Sequence, residues 1–257
     1  MAYICNMAEN FLYHILAQEL GSNPVLTRED LLNFFRQYEP ELNEATFAWR
    51  VFDLKKRNII SDLKKGIYTL NSKSTFTPPV SEEMKSISKL VIQRYDQHFF
   101  TIWDTIWLND LTELQATTSQ VILEIEKSSM DSIFFALKDE GFAEVFIKPD
   151  ESIMERYISE AKHPVIIKPF LSRSPAQLID DVKVPALEKI LVDLYCDEQV
   201  YFAYQGHQLE IIYRNATSRY ALNFSKLLTY AKRRSREDEI KSLLMKVLEK
   251  DLKEIIQ

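Results

Sequence analysis

The charged side chains of VILEIEKSSMD, residues 121–131, have the types and spacing from which a catalytic site could be built. A strand with spaced carboxylates and a lysine is typical of metal-dependent nucleases, where carboxylates hold Mg²⁺ and the lysine steadies the attacked phosphate. Because side chains alternate between the faces of a strand, Glu124 and Glu126 share one face and Lys127 is expected on the other. A nuclease is therefore the less favoured alternative, and we predict that the chain is not an enzyme.

Residues for other common reactions are scattered along the chain. The 4 glycines cannot assemble a GxGxxG loop, a Walker A loop or a GxSxG turn. The 4 histidines and the 2 cysteines, Cys5 and Cys196, have no metal-ligand spacing. We therefore predict no catalytic residue, no metal and no cofactor, and the cysteine usage fits a reducing compartment.

A second group of chemically capable residues is basic and lies in WRVFDLKKRNIISDLKKGIYTL, residues 49–70. Helical spacing places Phe47, Val51 and Leu54 on one buried face, with a neighbouring polar stripe that contains Thr46 and Arg50. Arginine can pair through two hydrogen bonds with guanine. Arg50 is thus the predicted base contact, with Thr46 beside it.

The remaining cations of this stretch suit phosphate contacts, which fix register without identifying bases. The predicted DNA-binding residues are Thr46, Arg50, Lys55, Lys56, Arg57, Lys64 and Lys65. Two alternatives stay open: the cations form an ordinary solvated surface, or the domain binds a protein instead of DNA. Asp53 is unfavourable beside phosphates and favours those alternatives.

Charge is distributed unevenly along the chain, whose formal net charge is −6. Residues 1–75 carry 9 Lys and Arg against 9 Asp and Glu, residues 76–213 carry 12 against 23, and residues 214–257 carry 11 against 6. The acidic middle repels phosphate, so only the two ends are expected to approach nucleic acid. The cluster at 232–236 is either a second phosphate-binding patch or a helix end balanced by the acids that follow.

The elements that position the basic residues are three helices and a hairpin. Apolar periodicity predicts a first helix over 8–21. A second helix is predicted to begin at a capping box formed by Thr27 and Asp30, and a third is predicted over 43–58 with Asn43 as its N-cap. The segment 59–70, with Lys64, Lys65 and Gly66 near its turn, suits a hairpin. Three helices closed by a hairpin form the winged variant of the helix-turn-helix, whose third helix enters the major groove.

The polar segment 71–83, which contains Pro78 and Pro79, is the predicted domain boundary, and a helix over 81–97 follows it. Strands are predicted at 121–126, 144–148 and 163–171, with a helix over 129–141 and mostly helix after Pro185. The predicted fold class is α+β. Its parts are a winged helix-turn-helix domain at 1–75, a linker and bridging helix at 76–97, and a mixed α/β domain with a helical C-terminal end at 98–257.

No apolar run is long enough for a membrane span and no signal peptide is recognised, so we predict a cytoplasmic protein without a membrane partner.

Several segments resemble one family. LKKRNIISDLKKGIYTL resembles the winged-helix segment of abortive-infection AbiEi-type antitoxins, and VKVPALEKILVDLYCD resembles their downstream segment, in which a Val-x-Val-Pro strand precedes a helix. TIWDTIWLNDLTELQ occupies the position of a short helix pair in that family, without its usual small residues. LLTYAKRR is similar to a basic helix near the end of such chains.

The resemblance implies the antitoxin of a type IV toxin–antitoxin pair. Such a protein represses its own promoter by binding a double-stranded DNA operator, and it counters a nucleotidyltransferase-like toxin without necessarily binding it. The seven DNA-binding residues named above match the family's reading-helix and wing region. Inverted-repeat operators pair with two-fold proteins, so a homodimer is also expected.

Overall fold

The computed structural model describes residues 25–57, 59–70, 74–95, 99–113 and 118–248, together with residues 13, 15, 16, 18–20, 116 and 253. The chain is a mixture of helices and several small sheets, which confirms the mixed α and β composition expected from the sequence. Buried hydrophobic residues form two clusters. One extends from Tyr13 to Tyr68, and the other combines Leu63 with residues from Phe76 to Leu248.

Residues 13–70 form the N-terminal unit. Its elements are β1 (Leu26–Thr27), α1 (Arg28–Tyr38), α2 (Glu44–Lys56), β2 (Ile60–Lys64) and β3 (Ile67–Leu70). The three strands form one antiparallel sheet in the order β1-β3-β2. Most of the helix predicted at 8–21 lies outside the described residues, but Tyr13 and Leu16 are helical and buried.

The predicted helix starts and the hairpin turn are confirmed. The Thr27 hydroxyl accepts a hydrogen bond from the Asp30 amide at 3.1 Å, and the Asp30 carboxylate accepts one from the Thr27 amide at 2.7 Å. The Asn43 side chain accepts a hydrogen bond from the Thr46 amide at 2.9 Å. The hairpin turns at Lys65 and Gly66, where the glycine φ of +78° lies in the left-handed region that glycine adopts readily.

Residues 74–248 form the C-terminal unit, which begins with α3 (Glu82–Arg94), β4 (Phe100–Asp104) and a 3₁₀ turn (Thr105–Asp110). Next come β5 (Val121–Ile125), α4 (Met130–Asp139), β6 (Val145–Ile147) and β7 (Val165–Pro169). These strands form a sheet in the order β4-β5-β7-β6, in which β4 is antiparallel and the other three are parallel. Both β5 and β7 are almost entirely buried, as expected for central parallel strands covered on both faces.

The rest of the C-terminal unit is a hairpin followed by helices. The hairpin pairs β8 (Ala176–Ile179) with β9 (Val182–Pro185). The helices are α5 (Leu187–Cys196), α6 (His207–Arg219), α7 (Phe224–Arg233) and α8 (Glu237–Val247). The mostly helical segment predicted after Pro185 is interrupted between α7 and α8, where Ser235 has a φ of +57°.

The short helix pair implied for TIWDTIWLNDLTELQ is wrong in its first part. Residues 101–104 belong to β4, which pairs with β5 along its whole length, and only the 3₁₀ turn Thr105–Asp110 follows. The β-branched and aromatic residues Thr101, Ile102 and Trp103 favour a strand, and all three are buried.

The two units are packed against each other. Leu63 of β2 is buried within the larger hydrophobic cluster, and β2 contacts α7. The described part of the predicted linker is also packed, because Phe76 lies edge-on to the rings of Trp107 and Tyr220. Of the helices that the structure describes, none is both long and apolar enough to cross a bilayer.

Candidate nucleic-acid interface

Arg50, the predicted base contact, is buried. Its residue exposure is 7%, its guanidinium carbon lies 5.3 Å from the centre of the Phe35 ring, and it forms an ion pair with Glu39. This face of α2 packs under α1, so Arg50 cannot reach a base edge. The prediction for Arg50 is wrong, because helical spacing gives the direction of a side chain but not the element that covers it.

Asp53 and Arg57, which follow Arg50 on the same side of α2, form an ion pair beside Tyr13. The Asp53 carboxylate accepts a hydrogen bond from the Tyr13 hydroxyl at 2.9 Å and pairs with Arg57 Nε at 2.7 Å. Arg57 is therefore held beside the helical segment that contains Tyr13, although a third of its side chain remains exposed. Lys55 is half-exposed and pairs with Asp62 at 2.6 Å.

The solvent-facing side of α2 is largely aromatic. Trp49 is 50% exposed and Phe52 is 61% exposed. Lys56 is exposed on the same helix, and Thr46 is half-exposed. The spacing of 49, 52 and 56 is that of one helix face, and sequence reasoning missed it because the stripe containing Arg50 appeared to be the exposed one.

The lysines of the β2–β3 hairpin lie in a cleft between the two units. Lys64 and Lys65 are exposed and line a cavity of about 740 Å³ between this hairpin and α7. The other cations that line it are Arg173, Lys226 and Arg233. Its one acidic residue, Asp62, already pairs with Lys55. We call these five cations the basic cleft.

Packing on both sides fixes the basic cleft. On the hairpin side, Leu63 is buried in the larger hydrophobic cluster while its neighbour Lys64 is exposed. On the α7 side, Leu227 and Tyr230 are buried, so Lys226 and Arg233 lie on the exposed side of the helix. Sequence reasoning missed Arg173 and Lys226, because neither stands in a basic run.

The cluster at 232–236 divides into different roles. Arg233 belongs to the basic cleft. Arg234 is half-buried and donates hydrogen bonds to Asp193 and Asp197, both at 2.6 Å. Arg236 pairs with Glu239 at 2.9 Å, as expected for a helix end balanced by the next helix start.

A buried charge network lies behind this cluster. Lys189 is 1% exposed and pairs with Glu124 at 2.6 Å and also with Asp193. Burial alone lowers the pKa of Lys189, but the carboxylates of Asp193 and Glu124 outweigh it and raise the pKa above its usual range. Lys168 pairs with Asp197 in the same way. The network therefore holds charged groups in place by mutual neutralisation.

Glu124, the candidate nuclease carboxylate, is part of this network and is not open to solvent. Its two oxygens accept hydrogen bonds from Lys189 and Thr101, whereas Glu126 is exposed beyond the end of β5. Within the part of the chain that the structure describes, no three His, Cys, Asp or Glu side chains are grouped to hold a metal ion. The geometry gives the nuclease alternative no support.

Comparisons with known proteins place the chain in a family without giving it an activity. No curated protein matches the sequence. Among solved structures, the chain is similar to the crystal structure of the RV2827C protein from Mycobacterium tuberculosis, with a TM-score of 0.24 and 12% identity, covering 93% of this chain and 81% of that one. Residues 46–250 match the model of a family of unknown function, DUF6577. The chain therefore belongs to the DUF6577 family.

Proposed function

We propose that this chain is a non-enzymatic regulator that binds double-stranded DNA, with the basic cleft holding the phosphate backbone. The N-terminal unit, in which β1, α1 and α2 precede a hairpin, supports its assignment as a winged helix. The observation that carries the proposal is the convergence of five exposed cations from the wing, from a loop and from α7 on one cleft. Phosphate contacts of this kind supply most of the affinity of non-specific DNA binding.

The distribution of charge along the chain also favours DNA binding at the basic cleft. The acidic segment 76–213 repels a duplex from other faces, while the basic cleft attracts it. Because Arg50 is covered, contacts with base edges fall to the exposed side of α2, where Thr46 and Lys56 carry hydrogen-bond donors.

The proposal is tested by fluorescence anisotropy with labelled duplexes of the upstream region and of random sequence. The variant Lys65→Ala/Lys226→Ala/Arg233→Ala is expected to bind both duplexes at least ten-fold more weakly, because phosphate contacts are lost without regard to sequence. Lys89→Ala/Arg156→Ala is the matched control, since both side chains are exposed outside the cleft. Equal losses in the two variants would place the DNA elsewhere.

We also propose that the regulator acts as the antitoxin of a type IV pair. The resemblance of the wing segment and of VKVPALEKILVDLYCD to AbiEi-type antitoxins supports this role. A nucleotidyltransferase-like protein encoded beside this chain is expected to arrest growth when it is expressed alone. Co-expression of this chain is expected to restore growth. Continued growth arrest during co-expression would leave DNA binding in place and remove the antitoxin role.

A second candidate is a winged helix that binds a protein through α2. The exposed rings of Trp49 and Phe52 favour it, because aromatic residues are enriched in protein interfaces. Under this alternative, Trp49→Ala/Phe52→Ala abolishes partner binding, and the cleft variant leaves it unchanged. The affinity for such a protein partner should change little with salt concentration, whereas the affinity for DNA should fall steeply. Salt dependence therefore distinguishes the two proposals.

A further inference from the structure

A second cavity, of about 910 Å³, opens where the three parallel strands end. Its lining includes Glu124 near the end of β5, Lys148 after β6, and the segment from Lys168 to Leu171 at the end of β7. Ligands of open α/β sheets bind in the crevice outside the carboxyl ends of the parallel strands. The volume lies within the range of small-molecule sites, which is roughly 300–1,000 Å³.

The floor of this cavity is charged but already neutralised. Lys168 and Arg234 both bind Asp197, and Glu124 binds the buried Lys189. Burial alone raises the pKa of Asp197, but the neighbouring charges of Lys168 and Arg234 outweigh it and lower the pKa. The floor is therefore a fixed and balanced surface, and it does not supply the net charge that selects a ligand.

The rim supplies net positive charge. Lys148 and Arg233 are exposed and make no ion pair with any other residue that the structure describes. Arg236 pairs with Glu239, which is half-exposed, so that contact is readily exchanged. Two exposed acidic residues also line the rim: Asp150, which accepts a hydrogen bond from the Ile153 amide and caps the short helix Glu151–Ile153, and Glu198. Three rim cations therefore face two rim carboxylates, and the excess is one positive charge.

Two residues of the lining hold an unusual backbone conformation. Lys148 has a φ of +41° and Ser235 a φ of +57°. Residues other than glycine seldom adopt a positive φ, and those that do are concentrated at functional sites such as ligand-binding sites. These two turns lie where the chain leaves β6 and where it passes from α7 to α8, which are the segments that carry the rim cations.

One wall of the cavity is apolar. Phe170, Leu171 and Val200 are half-buried and line it beside the cations. Arginine suits phosphate because its planar donors match two phosphate oxygens, and an aromatic ring offers a stacking surface. We propose that this cavity binds a small phosphorylated molecule with a planar ring, the chemistry of a nucleoside monophosphate. Lys148, Arg233 and Arg236 hold the phosphate, and Phe170 contacts the ring.

The proposal is tested by isothermal titration calorimetry of the full chain, without DNA, against AMP, GMP, inorganic phosphate and adenosine. Saturable binding of AMP or GMP is expected, with weaker binding of inorganic phosphate and of adenosine, because each lacks one of the two contacts. No binding of either nucleotide would overturn the proposal, as would adenosine binding as tightly as AMP.

Variants locate the site without touching the basic cleft. Lys148→Asn/Arg236→Gln is expected to weaken nucleotide binding at least ten-fold, and asparagine is chosen because it tolerates a positive φ. Phe170→Ala is expected to weaken nucleotide binding and to leave phosphate binding unchanged. Arg156→Gln is the control, and circular dichroism checks that each variant is folded. Nucleotide affinity unchanged in Lys148→Asn/Arg236→Gln would overturn the assignment. Since neither residue lines the basic cleft, failure here leaves the DNA-binding proposal untouched.

Discussion

Single residues divide into those that hold the fold and those that remain available to a ligand. Arg50 belongs to the first class, because its guanidinium is buried between Phe35 and Glu39. Its Nε and Nη1 atoms have no hydrogen-bond partner within the described residues, so the ion pair through Nη2 satisfies only part of a buried charged group. Lys65, exposed in the basic cleft, belongs to the second class.

Arg50→Ala is expected to lower the free energy of unfolding by about 1–3 kcal/mol, because packing and a charged hydrogen bond are both lost. Arg50→Met is expected to recover most of this loss, since it keeps the packing over Phe35 and removes the unpartnered nitrogens. Urea unfolding measures both, with the exposed Arg36→Ala as control. A loss of sequence preference in DNA binding by Arg50→Met would mean that Arg50 does reach a base.

The Cys196 thiol is expected to be slow to react at neutral pH. Burial raises its pKa to about 11, so the reactive thiolate is scarce below that pH. In a Cys5→Ser background, the rate of reaction with a disulfide reagent should rise steeply between pH 9 and 11. A rate that is already maximal at pH 8 would contradict this environment for the thiol.

At the scale of elements, buried ion pairs connect the sheet to the helices. Lys189 of α5 binds Glu124 of β5 and Asp193 of its own helix, and Arg234 at the end of α7 binds Asp193 and Asp197. Tyr230 of α7 also donates a hydrogen bond to Asp193 at 2.8 Å. The position of α7, and with it one side of the basic cleft, therefore depends on this network.

Lys189→Met is expected to lower the free energy of unfolding by about 3–5 kcal/mol, the usual cost of leaving a buried charge without its partner. Glu124→Gln/Lys189→Met should be less destabilised than the sum of its single variants, because it removes the charges on both sides of one pair. Guanidinium unfolding measures the coupling, and Lys89→Met on the surface is the control. Strict additivity would mean that the pair does not interact.

The stability contributed by Asp197 depends on pH. Its pKa in the folded chain lies below the ordinary value of about 3.9, so its contribution is present above that pH and is lost as pH falls through the folded pKa. The stability difference between the wild type and Asp197→Asn should therefore be largest near neutral pH and shrink below about pH 4. Urea unfolding from pH 6 to pH 3 measures it, and a constant difference would contradict the lowered pKa.

Local patterns in the sequence were sufficient to predict the N-terminal helix caps and the hairpin turn, but they were insufficient to predict which side chains form the candidate interface. The caps at Thr27 and Asn43 and the turn at Gly66 depend on neighbouring residues, so the sequence predicted them correctly. The exposed face of α2 depends on which helix covers Arg50. The basic cleft depends on a contact between β2 and α7, which lie far apart in the chain.

At the scale of the whole molecule, we propose one face for DNA and an adjoining cavity for a small ligand. The basic cleft joins cations from both units, so DNA binding requires that the units stay packed through Leu63. Tyr230 and Arg233 line both the basic cleft and the second cavity, so the two sites adjoin at the end of α7. Under the DNA-binding proposal, the net negative charge of segment 76–213 repels a duplex from the other faces.

The most direct test of the central claim is the salt dependence of DNA affinity for the wild type and for Lys65→Ala/Lys226→Ala/Arg233→Ala. A plot of the logarithm of the association constant against the logarithm of salt concentration should be steep for the wild type. It should lose about 0.9 in slope for each phosphate contact removed, or roughly 2–3 in total, while Lys89→Ala/Arg156→Ala keeps the wild-type slope. Equal slopes for the wild type and the cleft variant, or no binding by the wild type at low salt, would contradict the account.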